Sequence, residues 1–390
     1  MDSNHAMAQR ISLITIAREW TRIGCIGFGG PPNHIILLRK LCVEDRRWID
    51  GREFEDGIAA ANLLPGPAST QLAILCAWRL RGTLGALIGG VCFIVPGLVL
   101  ILALSALFLE RNAPAWVLGA AAGAGAAVPA VALNAAWSLV PASRKLMESR
   151  RLEHARWFFY VVVGAVAAAL VGSYLVLVLV ACGLVEVVVR GGERRRSLGS
   201  TAMSPAMIGH LGAVGGFGAI AWVALKVGAL SYGGGFVIIP LMQHDVVSTY
   251  HWMSGPQFLS VVALGQITPG PVVQTVAAVG YAARGLGGGL LAAFLVFTPS
   301  FVFVIVGAPH FDRVRSNASV RSFFRGAGPA VIGAIAGSAI PLGRALTHPW
   351  QISVLAGALL LLLVFRRNVV ICLILAGAIG LLLGLSGVSV

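Results

Sequence analysis

Residues 62–71 read Asn62-Leu63-Leu64-Pro65-Gly66-Pro67-Ala68-Ser69-Thr70-Gln71, and residues 266–275 read Gln266-Ile267-Thr268-Pro269-Gly270-Pro271-Val272-Val273-Gln274-Thr275. The Pro-Gly-Pro step thus occurs twice, 204 residues apart, and the same offset holds well beyond it. Shifting residues 20–79 forward by 204 lays them without a gap onto 224–283, so that Phe28-Gly29-Gly30 falls on Tyr232-Gly233-Gly234 and Trp48 on Trp252. With one residue deleted, Arg81-Gly82 meets Arg284-Gly285 and Pro96 meets Pro299. Glycine alone aligns easily in a chain that holds 49 of them, but a spaced Gly-Gly, Trp and Pro-Gly-Pro series does not. The chain is a duplication, with halves at 1–198 and 199–390 divided in the polar run Arg190 to Ser204.

Composition places both halves in lipid. Hydrophobic residues make up 57% of the chain and charged ones 11%, less than half the share of a soluble domain. Charge-free stretches such as Thr83 to Leu109 and Gly285 to Pro309 reach the roughly 20 apolar residues that cross a hydrocarbon core as helix. Strand-like alternation is absent, and helices satisfy their own backbone groups in lipid. The expected fold is therefore all-α and polytopic. The net charge of +14 comes from short Lys and Arg clusters between apolar spans, a juxtamembrane pattern that gives no reason to invoke nucleic acid. No cleavable signal peptide is expected at Met1 to Arg10. The six cysteines lie apart without metal-ligand spacing and read as small hydrophobes. No metal or cofactor is expected.

Charge also orders the halves. Loop 39–52 carries Arg39, Lys40, Arg46, Arg47 and Arg52, whereas its counterpart 243–257 has no Lys or Arg. Loop 144–156 is rich and its counterpart near Arg344 poor, while Arg313, Arg315, Arg321 and Arg325 answer a first-half segment holding only Arg111. Under the positive-inside rule matched loops lie on opposite faces, which makes the repeats inverted. Inversion needs an odd number of crossings per half. Residues 54–80 are accordingly read as a re-entrant hairpin broken at Leu64-Pro65-Gly66-Pro67, giving about ten crossings and two re-entrant broken helices in all.

Each half is interrupted at two places, Gly27 to Pro32 and the first Pro-Gly-Pro in one, Ser231 to Gly235 and the second Pro-Gly-Pro in the other. Such breaks are tolerated in lipid only when buried in protein or lining a watery cavity, and the helix that restarts after each offers free N–H groups and a positive dipole end to anions. The candidate binding residues are Gly29, Gly30, Asn62, Gly66, Thr70 and Gln71 in the first half. In the second they are Gly233, Gly234, Gln266, Thr268, Gly270, Gln274 and Thr275. Arg22 and Lys226, aligned at the same offset in apolar runs, are expected to add one cation each for a divalent anion. The alternative is that they snorkel or pair with Glu19 and Asp245. There is no Walker lysine motif and no positioned nucleophile, so neither ATP hydrolysis nor catalysis is expected.

Gly-Phe-Gly-Gly-Pro at 27–31, Leu-Pro-Gly-Pro at 64–67, Tyr-Gly-Gly-Gly-Phe at 232–236 and Gln-Ile-Thr-Pro-Gly-Pro at 266–271 together resemble the chromate ion transporter family in its long, two-domain form. The resemblance covers nearly the whole chain. It implies a multi-pass carrier of the bacterial inner membrane that exports chromate, or a related tetrahedral oxyanion such as sulfate, by secondary active transport. A passive anion channel, or less readily an intramembrane enzyme, is the alternative. A homo-oligomer is compatible with this reading.

Overall fold

The computed structural model describes residues 11–63, 66–109, 113–145, 151–170, 175–194, 216–231, 236–307 and 317–388. Among them there are helices and turns and no strands. The first half runs α1 (Leu13–Ile26), α2 (Pro31–Arg39), α3 (Gly51–Leu63), α4 (Ala68–Phe108), α5 (Ala115–Ala126), α6 (Val128–Lys145), α7 (Arg151–Leu170) and α8 (Leu175–Arg194). The second half runs α9 (Phe217–Leu230), α10 (Ile238–His244), α11 (Gly255–Ile267), α12 (Thr275–Gly307), α13 (Ala318–Arg344), α14 (Pro349–Leu359) and α15 (Val369–Leu385). Side chains cap the starts: Ser12 accepts from the Thr15 N–H, Ser254 and Gln257 form a reciprocal capping box, and Asn368 accepts from Val370. Among the described residues four segments, 68–108, 115–145, 272–307 and 318–344, are long and apolar enough to cross a membrane.

At 41 residues, α4 would be about 60 Å long if straight, twice the hydrocarbon thickness. It is not straight. Arg81 and Gly82 leave helical geometry (Gly82 at φ 58°, ψ −148°), and the chain turns back on itself, with the Ala77 carbonyl against Gly85 and the Ala77 side chain against Gly89. Arg284 and Gly285 do the same in α12, with φ and ψ of Gly285 at 60° and −154° and the Gly280 carbonyl against Gly288. A Cβ at Gly82 or Gly285 would meet open space. Glycine is required there by its backbone angles, which other residues adopt only at a cost. Each long helix is therefore a short arm (68–80; 275–283) folded against a long one (83–108; 286–307).

The two long arms are equivalent under the 203-residue offset and pack antiparallel. Phe301 abuts Gly90, and Leu102 abuts Gly289. Antiparallel equivalents are what an inverted repeat demands. The remaining helices agree. The end of α6 (Ser143) and the start of α13 (Phe324, Arg325) line one cavity, while the end of α13 (Arg344) lies with Leu170 and His244 in another. The finer backbone repeats too: the wide helical turn and left-handed Arg47 (φ 50°) after α2 recur after α10 with His251 (φ 51°).

The halves are also interlaced. Helix α13 packs along α7 and α8 of the other half, Gly333 against the Val161 carbonyl and Gly326 against that of Cys182. Reciprocally, α5 packs along α15, Gly119 against the Gly380 carbonyl and Gly123 against that of Ala376. Small residues let these backbones touch, which is how helices gain contact where water supplies no driving force. Large side chains on the outer faces of the long arms, among them Leu84, Val91, Leu290 and Phe294, are exposed and suit contact with lipid tails.

Candidate functional site

Helix α1 lies along α4, Trp20 donating from Nε1 to the Ala73 carbonyl at 2.9 Å and Gly24 packing on the Phe93 carbonyl. Helix α9 repeats the contact, with Gly228 on the Val296 carbonyl. Both helices therefore stop part-way along a long arm, and their breaks fall near its centre. There Gly29 (φ 85°) and Gly30 (φ 77°) carry the chain in left-handed geometry into α2. Gly30 faces Val272, and the Gly27 carbonyl accepts from the Gly270 N–H at 3.0 Å. The Gly-Gly break of one half thus touches the Pro-Gly-Pro break of the other.

Each Pro-Gly-Pro loop also rests on the long arm of the opposite half, at equivalent positions. Gly270 and Gln274 sit against Gly97, the residue after Pro96 in α4. Gly66 sits beside Gln71 and 3.3 Å, measured from an ideal Cβ, from Ser300 Oγ, the residue after Pro299 in α12. The breaks therefore meet around the crossing of the two long arms, at mid-depth of the helices that span. Helix α4 begins there without a side-chain cap, leaving first-turn N–H groups with no intrahelical acceptor, whereas α2 opens on Pro31-Pro32, which carry no N–H.

The polar side chains at this crossing divide into two kinds. Some are committed to the backbone: Thr268 Oγ1 donates to the Leu264 carbonyl at 2.7 Å, Thr275 Oγ1 to Val272 at 2.6 Å, and Gln274 Nε2 to Pro269 at 2.8 Å. Others are buried with no hydrogen-bond partner among the described residues: Thr70 Oγ1, Ser231 Oγ, Gln266 Nε2, Gln274 Oε1 and Ser300 Oγ. Buried polar atoms are nearly always paired, so a set of them beside helix breaks marks where a polar ligand would be held. Gln71 is fully buried in the same region. The Asn62 side chain and Gly233-Gly234 lie outside the described residues.

Arg22 and Lys226, expected to add one cation each, both lie beside the carboxylates that the sequence offered as their alternative partners. Lys226 forms an ion pair with Asp245, their side chains 6% and 5% exposed, and Arg22 donates to Glu19 at 2.9 Å with its own side chain 56% exposed. Glu19 also draws Arg18 and Arg46. A carboxylate within reach along the same half claims each cation, an outcome that spacing alone left open. Residues the sequence reading missed are His34, Gly97 and Ser300. His34 is buried, 2.8 Å from the Gly27 carbonyl through Nε2 and 3.2 Å from Ser69 Oγ through Nδ1, with its ring edge-on to Phe93. Gly97 and Ser300 follow the aligned Pro96 and Pro299, so the repeat itself held the signal that would have found them.

Inverted repeats with broken helices meeting at mid-depth define a membrane transport protein. The sequence comparisons name which kind: the chain belongs to the chromate transporter family, which it matches over residues 14–187 and 218–381. It is similar to a chromate transport protein of Cupriavidus metallidurans, 31% identical over 348 residues that cover 86% of this chain and 84% of the relative. A probable chromate transport protein of Synechococcus elongatus is 28% identical over 344 residues, 86% of each chain. A chromate transport protein of Pseudomonas aeruginosa is 27% identical over 401 residues, 97% of this chain and 94% of that one. No solved structure matches the chain.

Proposed function

We propose that the chain is a secondary active carrier that exports chromate, or a tetrahedral oxyanion like it, across a bacterial inner membrane. The binding site in this reading is the crossing of the breaks. The observation that carries it is the contact of Gly27 with Gly270 across the halves, set among buried polar atoms without partners at Thr70, Ser231, Gln266 and Ser300. Hydroxyls, an amide and the uncapped start of α4 are donors, and donors are what an oxyanion's oxygens require. Gly29, Gly30, Gly66 and Gly270 let the backbone approach the ion, with Asn62, Gly233 and Gly234 as the repeat counterparts. The inverted halves, divided near residue 198, would rock about this point to expose it to either face. The end at which Arg156 and Arg325 line one cavity is assigned to the cytoplasm.

Chromate counterflow in proteoliposomes tests this reading, because a carrier exchanges internal for external substrate and a channel does not accumulate label against the gradient. Gly66→Leu and Gly270→Leu are expected to abolish counterflow at unchanged membrane abundance. Normal counterflow in both variants removes the breaks from the site.

A further inference from the structure

We infer that the mouth of the first-half Gly-Gly break is a capture site, where a doubly charged tetrahedral oxyanion is bound on the face assigned to the cytoplasm before it moves inward; the inference rests on the transport reading above. Two independent observations point to it. The first is an unbalanced charge. Glu19, its side chain 8% exposed, is shared by Arg22 at 2.9 Å and by Arg18 and Arg46 at 3.5 Å each. One carboxylate against three guanidiniums leaves two positive charges over, and all three arginines stand exposed around the buried acid. Helix α1 leads this charge to the break. Arg18, Thr21, Arg22 and Cys25 form its exposed face, at the spacing that stacks residues along one side of a helix, and that face runs out at Phe28-Gly29. Arg22 lies four residues short of the end of α1, about 6 Å at the helical rise. A guanidinium held that close to the break needs water or an anion beside it. The second half does not repeat the fan: Trp222, Val223 and Tyr250 occupy the positions of Arg18, Glu19 and Arg46.

The second observation is a pair of amides at the break itself, one from each half. Measured from an ideal Cβ on Gly29, Asn33 Nδ2 lies at 2.8 Å and Asn368 Nδ2 at 3.8 Å. Asn368 belongs to the opposite half, where it follows Arg366 and Arg367, and all three are exposed. Its Oδ1 accepts from the Val370 N–H at 2.8 Å as the cap of α15. That bond fixes which end of the amide is oxygen and leaves Nδ2 as the end turned to Gly29. Asn33 Nδ2 donates one N–H to the Phe28 carbonyl at 2.6 Å and has a second to give. An amide nitrogen only donates, and a fully deprotonated oxyanion only accepts, so the two fit. Amides in front and surplus guanidinium charge behind make a cationic, donor-lined mouth, which raises the local concentration of a dianion and favours its arrival from this face.

Chromate counterflow of the full chain is measured in inverted membrane vesicles, which present the cytoplasmic face, and in right-side-out vesicles. Asn368→Asp keeps a capping oxygen and replaces the amide donor with an acceptor, while Arg22→Gln removes one charge from the fan. Each is expected to raise the apparent KM for chromate about tenfold in inverted vesicles, with the maximal rate and the right-side-out KM unchanged. Arg22→Lys is expected to keep most of the affinity, because the charge survives. Raising salt from about 0.05 M to about 0.5 M shortens the reach of exposed charge, and is expected to raise the native KM in inverted vesicles several-fold and that of Arg22→Gln by less. Should Asn368→Asp fail to reach the membrane, Asn368→Ser, which also caps, takes its place. A native KM in both variants, a rise shared equally by both faces, a lower maximal rate at native KM, or a native KM indifferent to salt overturns the inference and leaves the carrier reading in place. No counterflow by the native chain in either orientation overturns the carrier reading itself, and this inference with it.

Discussion

Gly97→Ala tests the crossing with a single added methyl group. In the native structure Gly97 lies under the second Pro-Gly-Pro loop, and an alanine Cβ there would run into the Pro269 carbonyl and lie 2.5 Å and 2.7 Å from Gln274 Oε1 and Nε2. Contacts between such atoms settle near 3.5 Å at about the van der Waals optimum, so the loop must withdraw by roughly 1 Å. The nearest atom belongs to backbone already held by the Gln274 amide, and no rotamer change relieves it. Overpacking of this kind costs about 1–3 kcal/mol, which is about one to two decades in any equilibrium that needs the loop seated. Chromate counterflow should therefore fall by about tenfold to a hundredfold at equal abundance. Gly287→Ala, on the long arm of α12 with open space at its Cβ, is the matched control and should transport normally. A Gly97→Ala protein with native transport would refute the claim that the loop and the arm meet where the substrate is held.

Three further outcomes follow from particular contacts. Lys226→Met should leave the buried Asp245 carboxylate without its cation and lower thermal stability by about 3–5 kcal/mol, with Lys226→Met/Asp245→Leu recovering most of the loss; Arg22→Gln, at an exposed pair, should cost under about 1 kcal/mol in the same melt. Gly82→Ala and Gly285→Ala should each cost about 1–3 kcal/mol through backbone angles alone, read as reduced thermal stability in detergent, and native stability in both would mean that the fold-back tolerates an ordinary residue. Single cysteines placed in loops 39–52 and 243–257 should react with a membrane-impermeant reagent from opposite faces, and labelling from one face at both would contradict the assigned sidedness.

The duplication was legible because Gly, Pro and Trp mark backbone events that cannot be replaced freely, and they kept their spacing across both halves. Inversion was legible from Lys and Arg because loop charge records which face a loop occupies. The fold-back at Arg81-Gly82 was not read: the sequence placed the break at Leu64-Pro65-Gly66-Pro67, and the reversal depends on the positive φ of one glycine inside an otherwise helical run. What stayed hidden was partnership. Arg22 and Lys226 look alike in an apolar run, yet one is half-exposed beside Glu19 and the other buried on Asp245, and nothing in their spacing says which carboxylate will reach them. Gly97 and Ser300 stayed hidden for a related reason: their role arises only when the opposite half lies across them, and sequence registers neighbours along the chain better than neighbours across it.

The interlacing of the halves has a consequence for how the protein is made. Gly119 and Gly123 on α5 find their partners at Gly380 and Ala376, some 250 residues later in the chain. At synthesis rates of about 5–20 residues per second, α5 waits on the order of ten to fifty seconds in the bilayer before its partner is made. During that interval its glycine-lined face must be borne by lipid or by a chaperone. A ribosome that stops before Val369 therefore leaves the damage in the half it had already completed, because α15 is the helix that closes the first half.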